Sequence, residues 1–528
     1  MLWQIVSFLR PGKYLIAFLA GLLAFPAVAP LNIFPLTVIA LALLFALWAR
    51  TDSRRGAAWL GFAFGLGIYG AGISFIYVAL HDYGGMNVVL SAMVTALAGA
   101  FLALFSALAG YAQARLRTRL WMRLVLVMPA LWVLLEWLRG LAFTGFPCML
   151  AGYSQVESPL GGYAPVLGVY GVSLMVALSA GLLTWLAHLL LPLPYAWLAP
   201  LQHLVGRGPV AAPTGEKARH RAWRAVIALA VIWGGGALLR TVEWTHAAGE
   251  PIKVGLLQGN IPQELKFNED RLPQTLETYR RLVLQSDARL IVLPETAFPI
   301  LRHEVPDSLA AALRDHARKN GGDLLIGSFE RDHGLFYNSV FTLGTAEGQS
   351  YRKNHLVPFG EFIPLRPALG WLINDVLHIP MGDLARGGER QQVLHVAGQK
   401  VAVDICYEDV FGEEIIRYLP EATLLVNVTN DAWYGDSPAA IQHNQVAQMR
   451  ALEGGRMMLR ATNTGVTSVI DRNGKVLHML PQHVEGTLTA MAQGYGGSTP
   501  YVRFGNALVL ALTGLILAAC FGSRKAHS

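Results

Sequence analysis

Three side chains with complementary chemistry each follow a hydrophobic, strand-like run of the sequence: Glu295, Lys353 and Cys406. A cysteine with an ordinary pKa of about 8.5 is mostly thiol at neutral pH. A neighbouring ammonium and a carboxylate base would both help to generate thiolate, which is the nucleophile of covalent catalysis. If the fold brings the three together, the sequence predicts a cysteine-based catalytic site.

Each of these residues also has an ordinary structural interpretation. Glu295 could be an acid at the start of a helix, Lys353 a solvated surface charge and Cys406 a small buried hydrophobe. Their shared setting favours the functional interpretation, because a polar side chain at the end of a strand lies on the rim of a rigid sheet. The chain has only three cysteines, too few for a disulfide framework, so Cys406 cannot pair within its own domain.

The elements that must position these residues lie between about 249 and 500. Ordinary charge density accompanies alternating strand-like and helix-like patterns there. We predict one water-facing α/β domain over residues 247–500. The whole chain is too apolar for a soluble enzyme, because 53% of its residues are hydrophobic and its mean hydropathy is +0.40.

Apolar runs on both sides of this domain predict a multi-pass α-helical membrane bundle of about eight helices. Each run is long enough to cross roughly 30 Å of hydrocarbon. Helices 1 to 7 are assigned to residues 1–246, and the eighth helix with a tail to residues 501–528. The runs fall near residues 12–29, 31–49, 57–80, 87–113, 120–138, 169–192, 225–242 and 504–521.

Basic residues predict the orientation of the bundle. They cluster in alternate connections and at both chain ends, whereas the opposite connections carry only Arg139. Because Lys and Arg near helix ends resist export, both termini are expected in the cytoplasm and the α/β domain on the other side. We expect the first two runs to be a retained hairpin rather than a cleaved signal peptide, because Pro30 would follow the cleavage site.

Charge and motifs exclude several other classes of function. The net charge of +7 belongs to the membrane connections, since residues 249–503 carry more acidic than basic side chains, and no nucleic-acid partner is expected. No P-loop, H-E-x-x-H, C-x-x-C or G-x-S-x-G occurs, and no metal or cofactor is expected. Gly65, Gly67 and Gly70 match G-x-G-x-x-G, but they lie inside an apolar run, where small residues permit close helix packing.

The order of the three polar residues resembles the nitrilase superfamily, whose Glu, Lys and Cys triad lies on an αββα sandwich. Further matches are Pro294-Glu295, Tyr337-Asn338-Ser339, Tyr351-Arg352-Lys353, Cys406-Tyr407-Glu408, Asn430-Asp431-Ala432-Trp433-Tyr434-Gly435 and Met449-Arg450-Ala451-Leu452-Glu453. Together with the flanking hydrophobic helices and the segment His355–Glu361, the chain resembles the apolipoprotein N-acyltransferase family over essentially its full length.

The family resemblance implies a reaction and a location. The reaction transfers the sn-1 acyl chain of a phospholipid to the amino-terminal S-diacylglyceryl-cysteine of an apolipoprotein, which completes lipoprotein maturation. The location is the bacterial inner membrane, with the catalytic domain in the periplasm. The implied partners are a phospholipid donor, a diacylated apolipoprotein acceptor and the lipid bilayer, and a monomer is expected.

The resemblance also implies a role for each residue of the triad. Cys406 would form a thioester with the acyl chain, while Glu295 would act as general base and then as general acid. Lys353 would stabilise the tetrahedral oxyanion beside the backbone N–H of Tyr407. This is ping-pong chemistry without metal or ATP.

Three further polar residues are expected to support the triad. Glu361 and Glu408 resemble family carboxylates that orient Lys353, with a structural ion pair as the alternative interpretation. Asn338 is expected to hold Glu295 or Lys353 by its amide.

Three features are expected around the acyl chain. Tyr407 could line its pocket. Phe267 stands where some family members have Trp, so its role at the acyl entrance is open. The apolar connection 367–381, which contains Trp371, is interpreted as a lid or membrane-dipping arm, with a covered core segment as the alternative.

Charged residues outside the triad are interpreted mainly as structural. A salt-bridge ladder on one helical face is predicted for Arg450, Glu453, Arg456 and Arg460. Arg456 has a second interpretation, contact with a lipid phosphate. Glu136 is expected to pair with Arg139 near the end of a membrane helix, and the role of Cys148 is open.

Two rival functions remain at this stage. A membrane-anchored nitrilase-type amidase would hydrolyse a small amide with the same triad, but it has no need of seven preceding helices. A transporter or scaffold with an inactive domain is disfavoured by intact Glu295, Lys353 and Cys406 and by the scarcity of charge within the apolar runs.

Overall fold

The computed structural model describes residues 11–116, 118–190, 215–363 and 383–525. The chain forms two compact units. One contains Met1–Ser74, Val88–Val242 and Asn506–Ser528, and the other contains Phe75–Asn87 and Glu243–Gly505. The second unit therefore includes a segment that the sequence analysis had assigned to the membrane bundle.

The first unit is helical, and each predicted apolar run overlaps one of its helices or the segment that follows. The α-helices among its described residues are Pro11–Leu23, Pro35–Ala49, Arg54–Gly72, Val88–Arg115, Leu120–Met122, Met128–Arg139, Ala164–Leu190, Glu216–Leu239 and Ala507–Lys525. A π-helical turn, Arg123–Val127, joins two of them into one continuous apolar stretch.

Length and composition support membrane crossing for part of this set. Among the described residues, four helical stretches are long and apolar enough: Val88–Arg115, Leu120–Arg139, Pro159–Leu190 and Glu216–Leu239. Arg54–Gly72 and Phe75–Tyr83 make a fifth if the pair, which is bent by 50°, counts as one span. The predicted helical membrane bundle is confirmed, and the described residues contain four or five full-length spans together with three shorter apolar helices.

The glycines of helix Arg54–Gly72 are packing positions, as predicted. A methyl group on Gly61 would collide with the carbonyl oxygen of Ser106, and one on Gly67 would collide with that of Phe18. Without a side chain, the helix can approach both neighbours at backbone distance.

Glu136 and Arg139 hold a loop and do not form the simple pair that was predicted. Glu136 Oε1 accepts hydrogen bonds from Trp132 Nε1 and from the backbone N–H of Ala151, each at 3.0 Å. Arg139 donates to the carbonyl oxygens of Phe146 and Cys148 at 2.6 and 2.7 Å. Each of these two buried side chains therefore holds the connection that follows their helix through its own hydrogen bonds.

In the part of the second unit that the structure describes, the strands form two six-stranded sheets and one two-stranded ribbon. The strands are β1 Thr245–Ala247, β2 Ile252–Gln258, β3 Leu290–Val292, β4 Asp323–Asp332, β5 Leu335–Gly344, β6 Ser350–Arg352, β7 Leu394–Val396, β8 Gln399–Ile405, β9 Leu424–Thr429, β10 Met458–Thr462, β11 Ser468–Ile470, β12 Val476–Met479, β13 Gly486–Ala492 and β14 Tyr495–Gly497. One sheet has the order β13-β2-β3-β4-β5-β6 and the other β12-β11-β10-β9-β8-β7. The centre of each sheet is parallel, β2 to β4 in one and β8 to β10 in the other.

Side-chain alternation along the strands creates three apolar layers. Leu290 and Val292 of β3 face a core shared by the two sheets, whereas Ile291 between them packs with helices Leu272–Gln285 and Asp307–Lys319. Helix Ala439–Gly454 covers the outside of the second sheet. The unit is therefore the predicted αββα sandwich, in which nearly all central strand residues are buried.

The predicted arginine ladder is wrong, because the helix ends earlier than its charge pattern suggests. Gly455 has a φ of +61° and caps the helix that stops at Gly454. Arg450 and Glu453 do pair within the helix, at 3.0 Å. Arg456 follows the turn and Arg460 lies on β10, so neither continues the same face.

Candidate active site

The ends of four strands bring the predicted reactive groups to one edge of the sandwich. Glu295 follows β3, Lys353 follows β6 and Cys406 follows β8. Asn430 directly follows β9, the parallel neighbour of β8. Because parallel strands end at the same edge, residues remote in sequence meet there, the usual location of ligand sites in such sheets.

Glu295 is a buried carboxylate that accepts hydrogen bonds on both oxygens. Oε1 accepts from Asn338 Nδ2 at 2.7 Å and lies 3.4 Å from Lys353 Nζ. Oε2 accepts from the backbone N–H of Asn430 at 2.9 Å. The predicted contact of Asn338 is therefore with Glu295, and three donors fix the plane of the carboxylate.

Close backbone packing holds the turn that carries Glu295. A methyl group on Gly327 of β4 would meet the carbonyl oxygen of Pro294 and the backbone of Glu295 and Thr296. Thr296 itself has a φ of +46°, a conformation that is unusual for a residue with a branched side chain. The glycine allows this strained turn to lie directly on the neighbouring strand.

Lys353 is shared by two carboxylates. Its ammonium is 2.9 Å from Glu361 Oε1 and 3.4 Å from Glu295 Oε1, and the side chain is 1% exposed. Burial alone would lower the pKa of Lys353, but Glu361 and Glu295 together raise it above its ordinary value. Lys353 therefore remains a cation in the working pH range. Glu361 lies within ion-pair distance of it, so its orienting role stays a prediction.

Cys406 occupies a strained turn at the end of β8. Its φ is +55°, and it begins the 3-10 turn Cys406–Val410. Burial and the neighbouring charge of Glu295 raise the pKa of Cys406 well above its ordinary value, although Lys353 acts in the opposite direction. The sulfur therefore rests as a thiol, whereas we had expected both neighbours to favour thiolate.

Glu408 connects the cysteine turn to the segment after Lys353. Its Oε1 accepts from the backbone N–H groups of Asn354 and His355 at 2.7 and 2.9 Å, and its Oε2 from that of Ile405 at 2.7 Å. The hydroxyl of Tyr351 also donates to it. Glu408 therefore contacts the backbone next to Lys353 and next to Cys406. None of these hydrogen bonds involves the ammonium of Lys353.

A buried charge cluster, which we define as Asp409, Asp431, His443 and Arg460, lies behind the cysteine turn. His443 Nε2 and Nδ1 are each 2.9 Å from a carboxylate oxygen, of Asp409 and Asp431 respectively. Arg460 contacts the same two carboxylates at 3.1 and 2.9 Å. Two anions and two cations therefore balance in an almost fully buried position.

The cluster reaches the nucleophile through one amide. Arg460 donates to Asn427 Oδ1 at 2.6 Å, and Asn427 Nδ2 donates to the carbonyl oxygen of Cys406 at 3.2 Å. Asp409 belongs to the same 3-10 turn as Cys406. Hydrogen bonds and ion pairs of the cluster therefore constrain the left-handed conformation of Cys406 at its own carbonyl oxygen and at Asp409, three residues later.

His443 should make the stability of this domain depend on pH. Burial and Arg460 lower its pKa, but Asp409 and Asp431 outweigh them and raise it to about 9 in the folded state. The pKa of an unfolded histidine is about 6.5, so the stabilisation is complete below that pH and is lost as the pH rises through about 9.

The rise in the pKa of His443 on folding corresponds to about 3 kcal/mol of stabilisation of the folded state. In thermal unfolding of the detergent-solubilised protein, His443→Gln should be destabilised below pH 6.5, and the difference from the unchanged protein should shrink as pH rises towards 9. A constant difference across this range would contradict a charged His443.

The remaining predicted residues occupy different positions. Tyr407 is buried and packs against Phe411 and His355, with ring centroids 5.3 and 6.0 Å away. Phe267 is 55% exposed, next to Phe329 at 6.5 Å. Trp371 and the connection 367–381 lie outside the described residues, so the lid remains a prediction.

Arg456 lies apart from the reactive groups and does not fit the alternative of a lipid-phosphate contact. Its guanidinium is buried and donates to the carbonyl oxygens of Pro420, Ala422, Gly454, Gly455 and Gly497. This side chain caps the carbonyl groups at the end of the preceding helix, and it is too deeply buried to contact a ligand.

Several residues at this edge were not assigned from sequence. Asn430 and Asp431 had been quoted only as part of a matching segment, and His443 and Lys266 had not been singled out. Lys266 Nζ donates to the carbonyl oxygen of Glu295 at 3.0 Å and to Asn430 Oδ1 at 2.8 Å. Lys266 lies on a four-residue helix, which is too short for a periodic signal.

Comparisons with known proteins agree with this architecture. Residues 20–182 match the apolipoprotein N-acyltransferase N-terminal domain, and residues 253–501 match the carbon-nitrogen hydrolase family. The apolipoprotein N-acyltransferase of Nitrosomonas europaea is 49% identical over 98% of both chains. That of Methylococcus capsulatus is 42% identical over 97% of both, and that of Ralstonia nicotianae is 41% identical over 97% of this chain and 93% of its own. The chain belongs to the apolipoprotein N-acyltransferase family.

Proposed function

We propose that this protein transfers the sn-1 acyl chain of a phospholipid to the terminal amine of an S-diacylglyceryl-cysteine on an apolipoprotein, through a thioester on Cys406. The observation that carries the proposal is the convergence of Glu295, Lys353 and Cys406 at one sheet edge in a member of this family. The membrane-length helices supply an anchor beside the lipid donor.

In the first half-reaction, the resting thiol loses its proton as it attacks. The sulfur of Cys406 bonds to the ester carbonyl carbon, and Glu295 takes the thiol proton in the same step, because the raised pKa of Cys406 disfavours a free thiolate. The ammonium of Lys353 stabilises the tetrahedral oxyanion. The bond between the carbonyl carbon and the glycerol oxygen then breaks, and Glu295 returns the proton to the departing lysophospholipid.

In the second half-reaction, the acceptor amine takes the place of the lysophospholipid. Its nitrogen bonds to the thioester carbon while Glu295 accepts a proton from it. The carbon–sulfur bond breaks, Cys406 regains a proton, and the product is an amide. Three fixed donors on Glu295 keep this carboxylate in one orientation through both proton transfers.

The proposal includes an orientation and an association state. Both termini lie in the cytoplasm and the catalytic unit faces the periplasm, because the basic residues of the short connections concentrate on one side. A monomer suffices, since the described residues Glu295, Lys353, Glu361 and Cys406 of one chain already form the reactive group.

The decisive experiment follows the acyl chain. The purified full-length protein is incubated with phospholipid labelled in its sn-1 chain, and peptides are analysed by mass spectrometry. We expect the label on the Cys406 peptide, and its transfer to the amine of an added diacylated cysteinyl peptide. Cys406→Ala should lose the adduct, whereas Cys148→Ser, the matched control with another partly buried cysteine, should retain it.

Two outcomes would overturn the assignment. A labelled adduct that persists in Cys406→Ala would refute the nucleophile. Release of the label as free fatty acid, with none on the peptide amine, would instead favour the rival amidase-like hydrolase, in which water accepts the acyl group.

A further inference from the structure

Lys266 is a buried lysine next to the proposed general base, and the two half-reactions do not use it. It ends the short helix Gln263–Lys266 and is only 2% exposed. Its two hydrogen-bond acceptors are the carbonyl oxygen of Glu295 and the side-chain oxygen of Asn430. Neither acceptor is a carboxylate, so no carboxylate among the described residues neutralises this ammonium by a direct ion pair of the kind that holds Lys353.

Asn430 links Lys266 to the reactive end of Glu295. The backbone N–H of Asn430 donates to Glu295 Oε2 at 2.9 Å. Its side-chain oxygen accepts from Lys266 and from Asn463 Nδ2, and its Nδ2 donates to Gln263 Oε1 at 2.6 Å. These three bonds fix the amide orientation, so Lys266 acts on Glu295 both at its backbone and, through Asn430, at its carboxylate.

The two carboxylates next to Lys353 carry more negative charge than its one ammonium balances, so a second cation is favourable here. The carboxylates of Glu295 and Glu361 share the single ammonium of Lys353. Glu295 and Cys406 are the ionisable groups that act on Lys266. A proton on Lys266 would therefore stabilise negative charge on the two atoms between which the reaction moves its first proton.

We infer that Lys266 is a positioning residue of this site, which holds Glu295 through Asn430 and supplies a second, titratable positive charge to the Glu295 and Cys406 pair. The inference rests on the proposed function for its chemical purpose, but its electrostatic effect on Cys406 does not require acyl transfer.

The geometry lets Lys266 change charge without losing its contacts. Burial lowers its pKa to about 7, although Glu295 and Cys406 favour the charged form. A neutral amine retains two N–H donors, which suffice for the two acceptors, and an ammonium has a third. The charged form of Lys266 favours thiolate on Cys406, and this effect is lost when Lys266 becomes neutral.

The test measures how Cys406 reacts with iodoacetamide at different pH values, because only thiolate reacts rapidly. Alkylation of the Cys406 peptide is followed by mass spectrometry in full-length protein in detergent. Lys266→Met should react about 10-fold more slowly than the unchanged protein near pH 6, where one pKa unit of thiol shift is worth a factor of ten. The ratio should approach one near pH 9, where Lys266 is already neutral.

Two other variants separate charge from packing. Lys266→Arg keeps a cation at every pH. Its Cys406 should therefore be alkylated at least as fast as in the unchanged protein near pH 9, and its pH profile should lack the change near neutrality that titration of Lys266 causes. Lys319→Met, on an exposed face of another helix, should not alter the profile. Thermal unfolding of each protein checks that it is folded.

The outcomes are distinct from those of the acyl-transfer experiment. A folded Lys266→Met protein with an unchanged pH profile of Cys406 alkylation would overturn the inference. A Lys266→Arg protein whose profile still changes near neutral pH would overturn it as well. If Lys266→Met does not fold, the Lys266→Arg profile alone decides. If no acyl adduct forms on Cys406 but the alkylation ratio changes with pH as expected, the proposed function fails and the assignment of Lys266 stands.

Discussion

Replacing Glu295 by Gln should slow formation of the acyl adduct on Cys406 by about 10²- to 10⁴-fold, the usual contribution of a positioned general base. The amide cannot accept the thiol proton, and the raised pKa of Cys406 leaves little thiolate to react without it. Asn338, Lys353 and the N–H of Asn430 all donate towards this position, so the new NH₂ group must also face one donor. The measurement is a single-turnover assay with labelled phospholipid.

Glu361→Gln is the matched control, because Glu361 contacts the same ammonium but receives no proton in the proposed mechanism. We expect a smaller loss, caused by a less firmly oriented Lys353. Thermal unfolding should show that both variants are folded. Equal losses in the two variants would contradict the assignment of proton transfer to Glu295 alone.

Replacing Arg460 by Met should destabilise the catalytic unit by about 3–5 kcal/mol, the usual effect of removing one partner from a buried ion pair. The substitution leaves Asp409 and Asp431 with only His443 to balance them in a position that water does not reach. It also removes the donor that fixes Asn427 and, through it, the carbonyl oxygen of Cys406. Chemical or thermal unfolding in detergent measures the loss, and the adduct assay measures the displacement of the nucleophile.

Arg281→Met is the control for this prediction, because Arg281 pairs with Glu485 at the surface. It should change stability little, as exposed pairs generally contribute little. Combining Arg460→Met with Asp409→Asn should cost less than the sum of the separate effects, since the partners belong to one cluster. An Arg460→Met protein as stable as the control would show that the four charges do not depend on one another.

Two of the three reactive groups were predictable because a simple rule places them. A hydrophobic run that ends in a polar side chain predicts a buried strand with its functional group at the rim, and Glu295 after β3 and Cys406 after β8 obey this rule. Lys353 does not, because the strand-like run before it lies within β5, and Lys353 follows the short, partly exposed strand β6. The parallel pairing of β8 with β9 then adds Asn430 at the same edge. That addition requires knowledge of strand neighbours, which hydrophobic periodicity alone does not contain.

Other features depend on local backbone geometry that periodicity does not reveal. The charges from Arg450 to Arg460 have helical spacing, yet a left-handed glycine at 455 ends the helix and sends Arg460 onto a strand. Lys266 lies on a short helix whose burial follows from contacts with distant residues. The resting thiol of Cys406 likewise follows from burial, which a list of neighbouring charges does not predict.

The segment Phe75–Asn87 has a consequence for how the protein is made. Phe75 packs on Tyr434 with ring centroids 5.0 Å apart, and Tyr83 packs on Trp433 at 6.1 Å. A truncated protein that starts at Glu243 would expose this aromatic surface to water. During synthesis, Phe75–Asn87 leaves the ribosome long before Glu243–Gly505, the rest of the same unit. The unit therefore completes its fold around a segment that is already joined in sequence to an apolar helix at each end.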